Sequence, residues 1–222
     1  ILAGYYAKKM GLPVGKLICA SNQNNVLTEF FTSGDYDANR EFFKTSSPSM
    51  DILVSSNLER LIFELSGRDA AFTAERMEEL KKNGKYSVSD KEKKSMDVLF
   101  KAGYCDESEC AETIFNVFEE YGYVLDTHTA VAVKTFYDFR HELEGKTVVL
   151  STASPYKFPQ SVLSAITGKK TSDAFKAARE LNSVTAAEIP QGIIELENKK
   201  VRFNEIIDKK DVFEAIKTFV SE

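Results

Sequence analysis

Hydrophobic and polar positions come in alternating blocks along this chain, and the blocks predict its elements. The run Ile1-Leu2-Ala3-Gly4-Tyr5-Tyr6-Ala7-Lys8-Lys9-Met10 reads as a helix stopped by Gly11. No Ser, Thr, Asp or Asn precedes it to cap its free N–H groups, so the pattern implies an upstream segment and a chain that is a piece of a longer one. Leu17-Ile18-Cys19-Ala20 is a short apolar run expected as a buried strand. The polar cluster Ser21-Asn22-Gln23-Asn24-Asn25 follows, then a helix from Val26 to Phe31. Pro48 to Asn57 predicts a loop, a short strand and a second polar loop. Asn57 is placed to cap a helix from Leu58 to Leu65, with Leu58, Leu61, Ile62 and Leu65 on one face. Glu59 and Arg60 leave that helix in different directions. Residues 70–101 are amphipathic and charged, with a turn at Asn83-Gly84. They read as a solvated helical face without a phosphate site.

Asp106-x-x-Glu109 predicts a capping box, followed by a core stripe of Ala111, Ile114, Phe115, Phe118 and Tyr121. After Asp126-Thr127-His128-Thr129-Ala130 comes a helix with Val133, Phe136, Tyr137 and Phe139 apolar, running to Leu143 and closed by Gly145. Thr147-Val148-Val149-Leu150 is the clearest buried strand by composition. Pro159 opens a helix ending at Gly168, and further helices are expected at Thr171 to Leu181 and Val212 to Val220. Strands and helices interleave without a Pro- or Gly-rich linker. This predicts an α/β fold: a mostly parallel sheet flanked by helices in three layers.

Composition narrows the function. Among 222 residues, 43% are hydrophobic, with 16 Phe and 9 Tyr, which suits a packed core rather than disorder. A net charge of −5 argues against nucleic acid. The three cysteines, Cys19, Cys105 and Cys110, are too few for a disulfide framework and fit a reducing cytoplasm. No apolar run reaches membrane-spanning length, so no membrane partner is expected. Cys105 and Cys110 lack a second ligand pair, so no metal is expected either. Glycine-rich phosphate fingerprints and a nucleophile elbow are absent from the sequence.

The candidate chemistry sits at polar junctions. Ser21 to Asn25 follows a strand, where open α/β sheets place ligands, although an Asn-rich turn explains it equally. Ser151-Thr152-Ala153-Ser154-Pro155 puts two hydroxyls at a strand end before a prolyl turn, suited to a polar ring or a phosphate. His128 lies at a loop-to-helix junction, whereas His141, the other histidine, lies on a charged stretch and is expected exposed.

Taken in order, five junctions resemble the C-terminal part of the threonine synthase family. They are Ala20-Ser21-Asn22-Gln23-Asn24, Ser47-Pro48-Ser49-Met50-Asp51-Ile52, Ser55-Ser56-Asn57-Leu58-Glu59-Arg60, Asp126-Thr127-His128-Thr129-Ala130 and Ser151-Thr152-Ala153-Ser154-Pro155-Tyr156-Lys157-Phe158. The match spans residues 1 to about 160; beyond Gly168 only length and helix pattern agree. The chain departs at Asn25, Thr127, Ser154 and Tyr156, where the family usually has Asp, Pro, His and Ala.

The resemblance implies a pyridoxal 5'-phosphate enzyme of the tryptophan-synthase-β-like fold, fold type II. Residues 1–222 would form the C-terminal portion of its cofactor-binding region, with the phosphate loop and the Schiff-base lysine upstream. The implied reaction converts O-phospho-L-homoserine and water to L-threonine and phosphate. Thr152 matches the hydroxyl that meets the cofactor ring nitrogen. Asn22, Asn24, Ser49, Asp51, Ser55, Asn57, Arg60, His128 and Lys157 fall in matched motifs as active-site lining, with Arg60 and Lys157 as anion contacts. Each also has a structural reading: Asn57 as a cap, Asp51 as a loop acceptor, Arg60 as a surface ion pair. A chain lacking the lysine is expected to be inactive alone and to self-associate through surface left uncovered. The alternative is a non-catalytic binding or regulatory protein of the same fold. Another lyase or dehydratase of this fold is disfavoured by the Ser-Met-Asp and Ser-Asn-x-Glu-Arg motifs.

Overall fold

The computed structural model describes residues 1–221, which fall into two compact units, 1–189 and 190–221. In the first unit, helix α1 (Leu2–Lys9) leads to strand β1 (Leu17–Ser21). Helix α2 (Val26–Ser33) ends on Gly34, whose φ of 88° is left-handed and suits a residue without Cβ. Strand β2 (Asp35–Asp37), helices α3 (Ser56–Leu65) and α4 (Ala70–Asn83), strand β3 (Lys85–Ser87) and helix α5 (Asp90–Leu99) follow. Strand β4 (Phe100–Tyr104) then runs into α6 (Glu107–Tyr121), α7 (Thr127–Phe139), α8 (Pro159–Thr167) and α9 (Ala174–Thr185).

The class is α/β. Strand β1 pairs with β4 in parallel, from Leu17 opposite Phe100 to Ser21 opposite Tyr104. Strand β2 pairs with β3 antiparallel. A parallel pair needs a crossover, here the long excursion through α2 to α5. The core of this half is aromatic. Phe30 meets Tyr36 edge-on at 5.8 Å, and Tyr36 stacks on Tyr86 at 5.2 Å. These rings combine apolar burial with quadrupole-matched contact.

The helix-end signals at Asp106 and at Gly168 act as the sequence predicts. Asp106 and Glu109 complete a capping box on α6, and Gly168 closes α8 in the left-handed region. Elsewhere the structure departs from the sequence pattern. Residues 147–150 form no strand: Val148 is 81% exposed and Leu150 67%. A strand requires a hydrogen-bonding neighbour, and among the described residues no strand pairs with this segment. Residues 51–55 likewise form no strand, but follow a 3-10 turn at Pro48–Met50. The helix beyond them begins at Ser56 with Ser55 at its N-cap, so Asn57 lies inside the first turn rather than capping it.

On α6 the buried face is Cys110, Thr113, Ile114 and Val117, while Ala111, Phe115 and Tyr121 are exposed. The aromatics suggested a phase that the smaller residues actually occupy. Strand β4 escaped the pattern because Lys101 and Gly103 interrupt it; Lys101 reaches Glu142 instead of solvent. Helix α9 starts three residues later than expected because the Asp173 side chain accepts Lys176 N–H.

The second unit holds α10 (Gln191–Leu196) and α11 (Val212–Ser221). Within it, Phe203 meets Phe219 at 6.4 Å. No described helix is long and apolar enough to cross a membrane.

Candidate active site

Four of the five polar junctions converge at the C-terminal ends of the parallel strands. The β1–β4 ladder extends one step further, with Cys105 N–H donating to Ser21 O at 2.9 Å. Beyond β1 the chain turns through Asn22 and Asn24, both buried. Asn22 Nδ2 lies 2.8 Å from Thr45 Oγ1, 3.0 Å from Ser47 Oγ and 2.8 Å from Asp51 Oδ1. Its Oδ1 accepts the Asn24 backbone N–H at 3.0 Å. Asn24 Nδ2 donates to Phe43 O at 2.8 Å and faces Asp51 Oδ1 at 3.0 Å; its Oδ1 accepts Phe43 N–H at 2.9 Å. Asp51 Oδ2 accepts Thr45 N–H at 3.0 Å. Buried polar atoms this well paired stabilise one loop shape rather than remaining available to a ligand.

Two hydrogen bonds tie that loop to the start of α7. Asp126 caps the helix, accepting His128 N–H at 2.9 Å and Thr129 N–H at 3.2 Å. Thr127 Oγ1 donates to Ser46 O at 2.8 Å. His128 Nε2 accepts Ser49 N–H at 3.2 Å, and its ring packs 5.0 Å from Phe158. Burial pushes the His128 imidazole below its ordinary value; Asp126 and Asp51 oppose this, and Lys157 adds to it.

Thr152 enters from the other side. Its N–H donates to Thr129 Oγ1 at 3.2 Å, and its own side chain is exposed, with no hydrogen bond among the described residues. Ser154 then steadies the prolyl turn by accepting Tyr156 N–H at 3.2 Å. Lys157 is exposed, its ammonium 5.4 Å from the Phe158 ring centre.

The structure thus gathers Asn22, Asn24, Ser49, Asp51, His128 and Thr152 into one bonded cluster, with Lys157 beside it through Phe158. Ser55, Asn57 and Arg60 stand apart. Ser55 N–H donates to Tyr36 OH at 2.9 Å, and Arg60 bonds Asn57 on the exposed first turn of α3. Among the described residues none of the three has a hydrogen bond to the cluster. Residue-by-residue reading overlooked Thr45, Ser47, Asp126 and Thr129, which hold the cluster together. The hydroxyl run Thr45-Ser46-Ser47 ahead of Pro48 was the visible signal.

No group of three or more His, Cys, Asp or Glu among the described residues is placed to hold a metal. Hydrogen bonding to Cys110 and burial push the Cys105 thiol upward, and burial pushes Cys19 to about 11. Neither is poised as a thiolate.

A family model described as "Threonine synthase, C-terminal" matches residues 129–220. Threonine synthase of Pseudomonas aeruginosa is 41% identical over 169 residues, which make up 76% of this chain and 36% of that protein. An X-ray structure of PLP-bound threonine synthase from Brucella melitensis superposes with a TM-score of 0.81 at 37% identity, covering 98% of this chain and 43% of that one. Threonine synthase from yeast gives 0.82 at 33% identity, covering 99% and 45%. The chain spans about a third of the length of the Pseudomonas relative and under half of each solved one.

Proposed function

The chain belongs with the threonine synthases, matching their C-terminal part, and on that premise we propose that the protein carrying it converts O-phospho-L-homoserine and water to L-threonine and phosphate. Pyridoxal phosphate, when bound, supplies the electron sink that a carbanion beside the substrate amine requires. The observation that carries the reading is the convergence of four of the five matched junctions at the C-terminal strand ends, in a chain that superposes on a PLP-bound threonine synthase over 98% of its length.

The residues present suit such a ring. The Thr152 hydroxyl is exposed and uncommitted, while the Thr152 backbone is fixed to Thr129. A neutral hydroxyl at that position can donate to a ring nitrogen without protonating it. Lys157 forms no ion pair among the described residues and is exposed, so its ammonium is available to a phosphate dianion. Arg60 is exposed too, with only Asn57 as partner, and serves as a second anion contact. Ser55 and Asn57 set the first turn that carries it. Asn22, Asn24 and Asp51 act from behind the lining, by fixing the loop on which Ser49 stands. His128 orients that loop from α7.

We place the protein in the cytoplasm. The test is release of phosphate from O-phospho-L-homoserine by the whole protein supplied with pyridoxal phosphate. Stoichiometric threonine and phosphate are expected. Absence of both, from protein that is folded and has taken up the cofactor, overturns the reading. The 222-residue chain alone is expected to make no threonine, since capture of the cofactor requires a positioned amine that no matched lysine here provides.

A further inference from the structure

We propose that His128 is a positioning residue that works as a proton-sensitive latch: its neutral Nε2 holds the Ser47–Asp51 loop through the Ser49 N–H, and protonation releases that hold. The inference deepens the reading above, because the latched loop is the one assigned to the active site.

The geometry carries it. The 3-10 turn Pro48–Met50 leaves its early N–H groups without partners inside the turn. Met50 N–H finds Ser47 O at 2.9 Å, but Ser49 N–H donates outward, to His128 Nε2 at 3.2 Å. An imidazole nitrogen accepts only through its lone pair, so the ring proton must sit on Nδ1. That side of the ring fits: Nδ1 lies 3.3 Å from Asp126 Oδ1 and 3.4 Å from Thr127 Oγ1. Protonating Nε2 would set two N–H groups against each other.

Charged groups reach the ring from each packed element. Asp126 comes from the turn before α7, Asp51 from the loop itself, and Lys157 from the turn after Thr152. The two carboxylates favour the cation and the ammonium opposes it. Burial against Phe158 adds the larger effect, which favours the neutral ring. The far end of the loop is pinned independently by Asp51 to Asn22, Asn24 and Thr45. Release is therefore local to Ser49 and its neighbours, and the fold remains.

The experiment is amide hydrogen exchange on the whole protein at about pH 7.5 and about pH 5, with nitrogen-15 imidazole shifts assigned by difference from His128→Gln. Wild type should show the Nδ1–H tautomer at the higher pH. Protection at Ser49, relative to Met50, should fall about fivefold to tenfold at the lower pH, as loss of one hydrogen bond implies. His128→Gln offers a non-titrating acceptor of similar reach and should keep Ser49 protected at both values. His128→Phe should lose protection at both. An Nε2–H tautomer, pH-independent protection in wild type, or a His128→Gln profile that follows wild type overturns the latch. None of these readouts depends on turnover, so a protein that makes no threonine yet shows them would sink the proposed function and leave the latch standing.

Discussion

At the end of β1, Asn22 and Asn24 are buried and their amides are committed to Thr45, Ser47, Phe43 and Asp51. Around Val148 to Thr152, apolar side chains and the Thr152 hydroxyl alike face solvent. Both segments carry the polar and β-branched residues typical of ligand-binding strand ends. The first satisfies its own polar groups and so defines a shape. The second satisfies little within the described chain and so presents groups for something else to meet. Motif membership alone does not separate a residue that touches a ligand from one that holds the wall behind it; hydrogen-bond bookkeeping does.

The sharpest way to break the comparison is to empty the buried network. Asp51→Ala removes the acceptor of both asparagine amides and of Thr45 N–H, and should cost roughly 2–4 kcal/mol, read by denaturant unfolding. A loss within about 0.5 kcal/mol would mean the network is solvated and the contrast with residues 148–152 is false.

The exposed segment makes the opposite prediction. Val148 and Leu150 offer an apolar, β-prone edge, so the 222-residue chain should self-associate. Val148→Lys should weaken that association about tenfold in sedimentation while leaving stability nearly unchanged. A wild-type chain that stays monomeric over a wide concentration range contradicts this.

The smallest effect is on pH dependence. Burial holds His128 below its unfolded value of 6.5. As pH falls, the unfolded chain takes up that proton first, so this contribution to stability is complete above the unfolded value. It is lost as pH drops through the folded one. Thermal melts of wild type should decline over that window, and His128→Gln should remove this part of the slope.

Much of this contrast was legible in the sequence at the level of elements. Capping boxes announce themselves because the Asp106 and Glu109 side chains complete a local geometry. Pro159 and Gly168 bracket α8 for the same local reason. Long-range pairing left weaker marks. Thr147 to Leu150 has a strand's composition, but composition does not supply a neighbour. Phe100 to Tyr104 has a neighbour and yet breaks the apolar run at Lys101. On α6 the packed face uses Cys110 and Thr113, so the aromatic stripe misstated the phase. Within the site, Asn22, His128 and Thr152 stood out by type and junction. Their different roles depend on which atoms are already bonded, and that is a property of the fold.

The Thr152 hydroxyl is the one group proposed to meet the cofactor ring. In the whole protein, Thr152→Val keeps the shape and removes only the hydroxyl, so turnover and cofactor occupancy should be measured together. The account predicts full occupancy with threonine formation reduced by about tenfold or more, and restored largely by Thr152→Ser. Unchanged turnover in folded, cofactor-loaded Thr152→Val would contradict it and return residues 151–154 to a purely structural role.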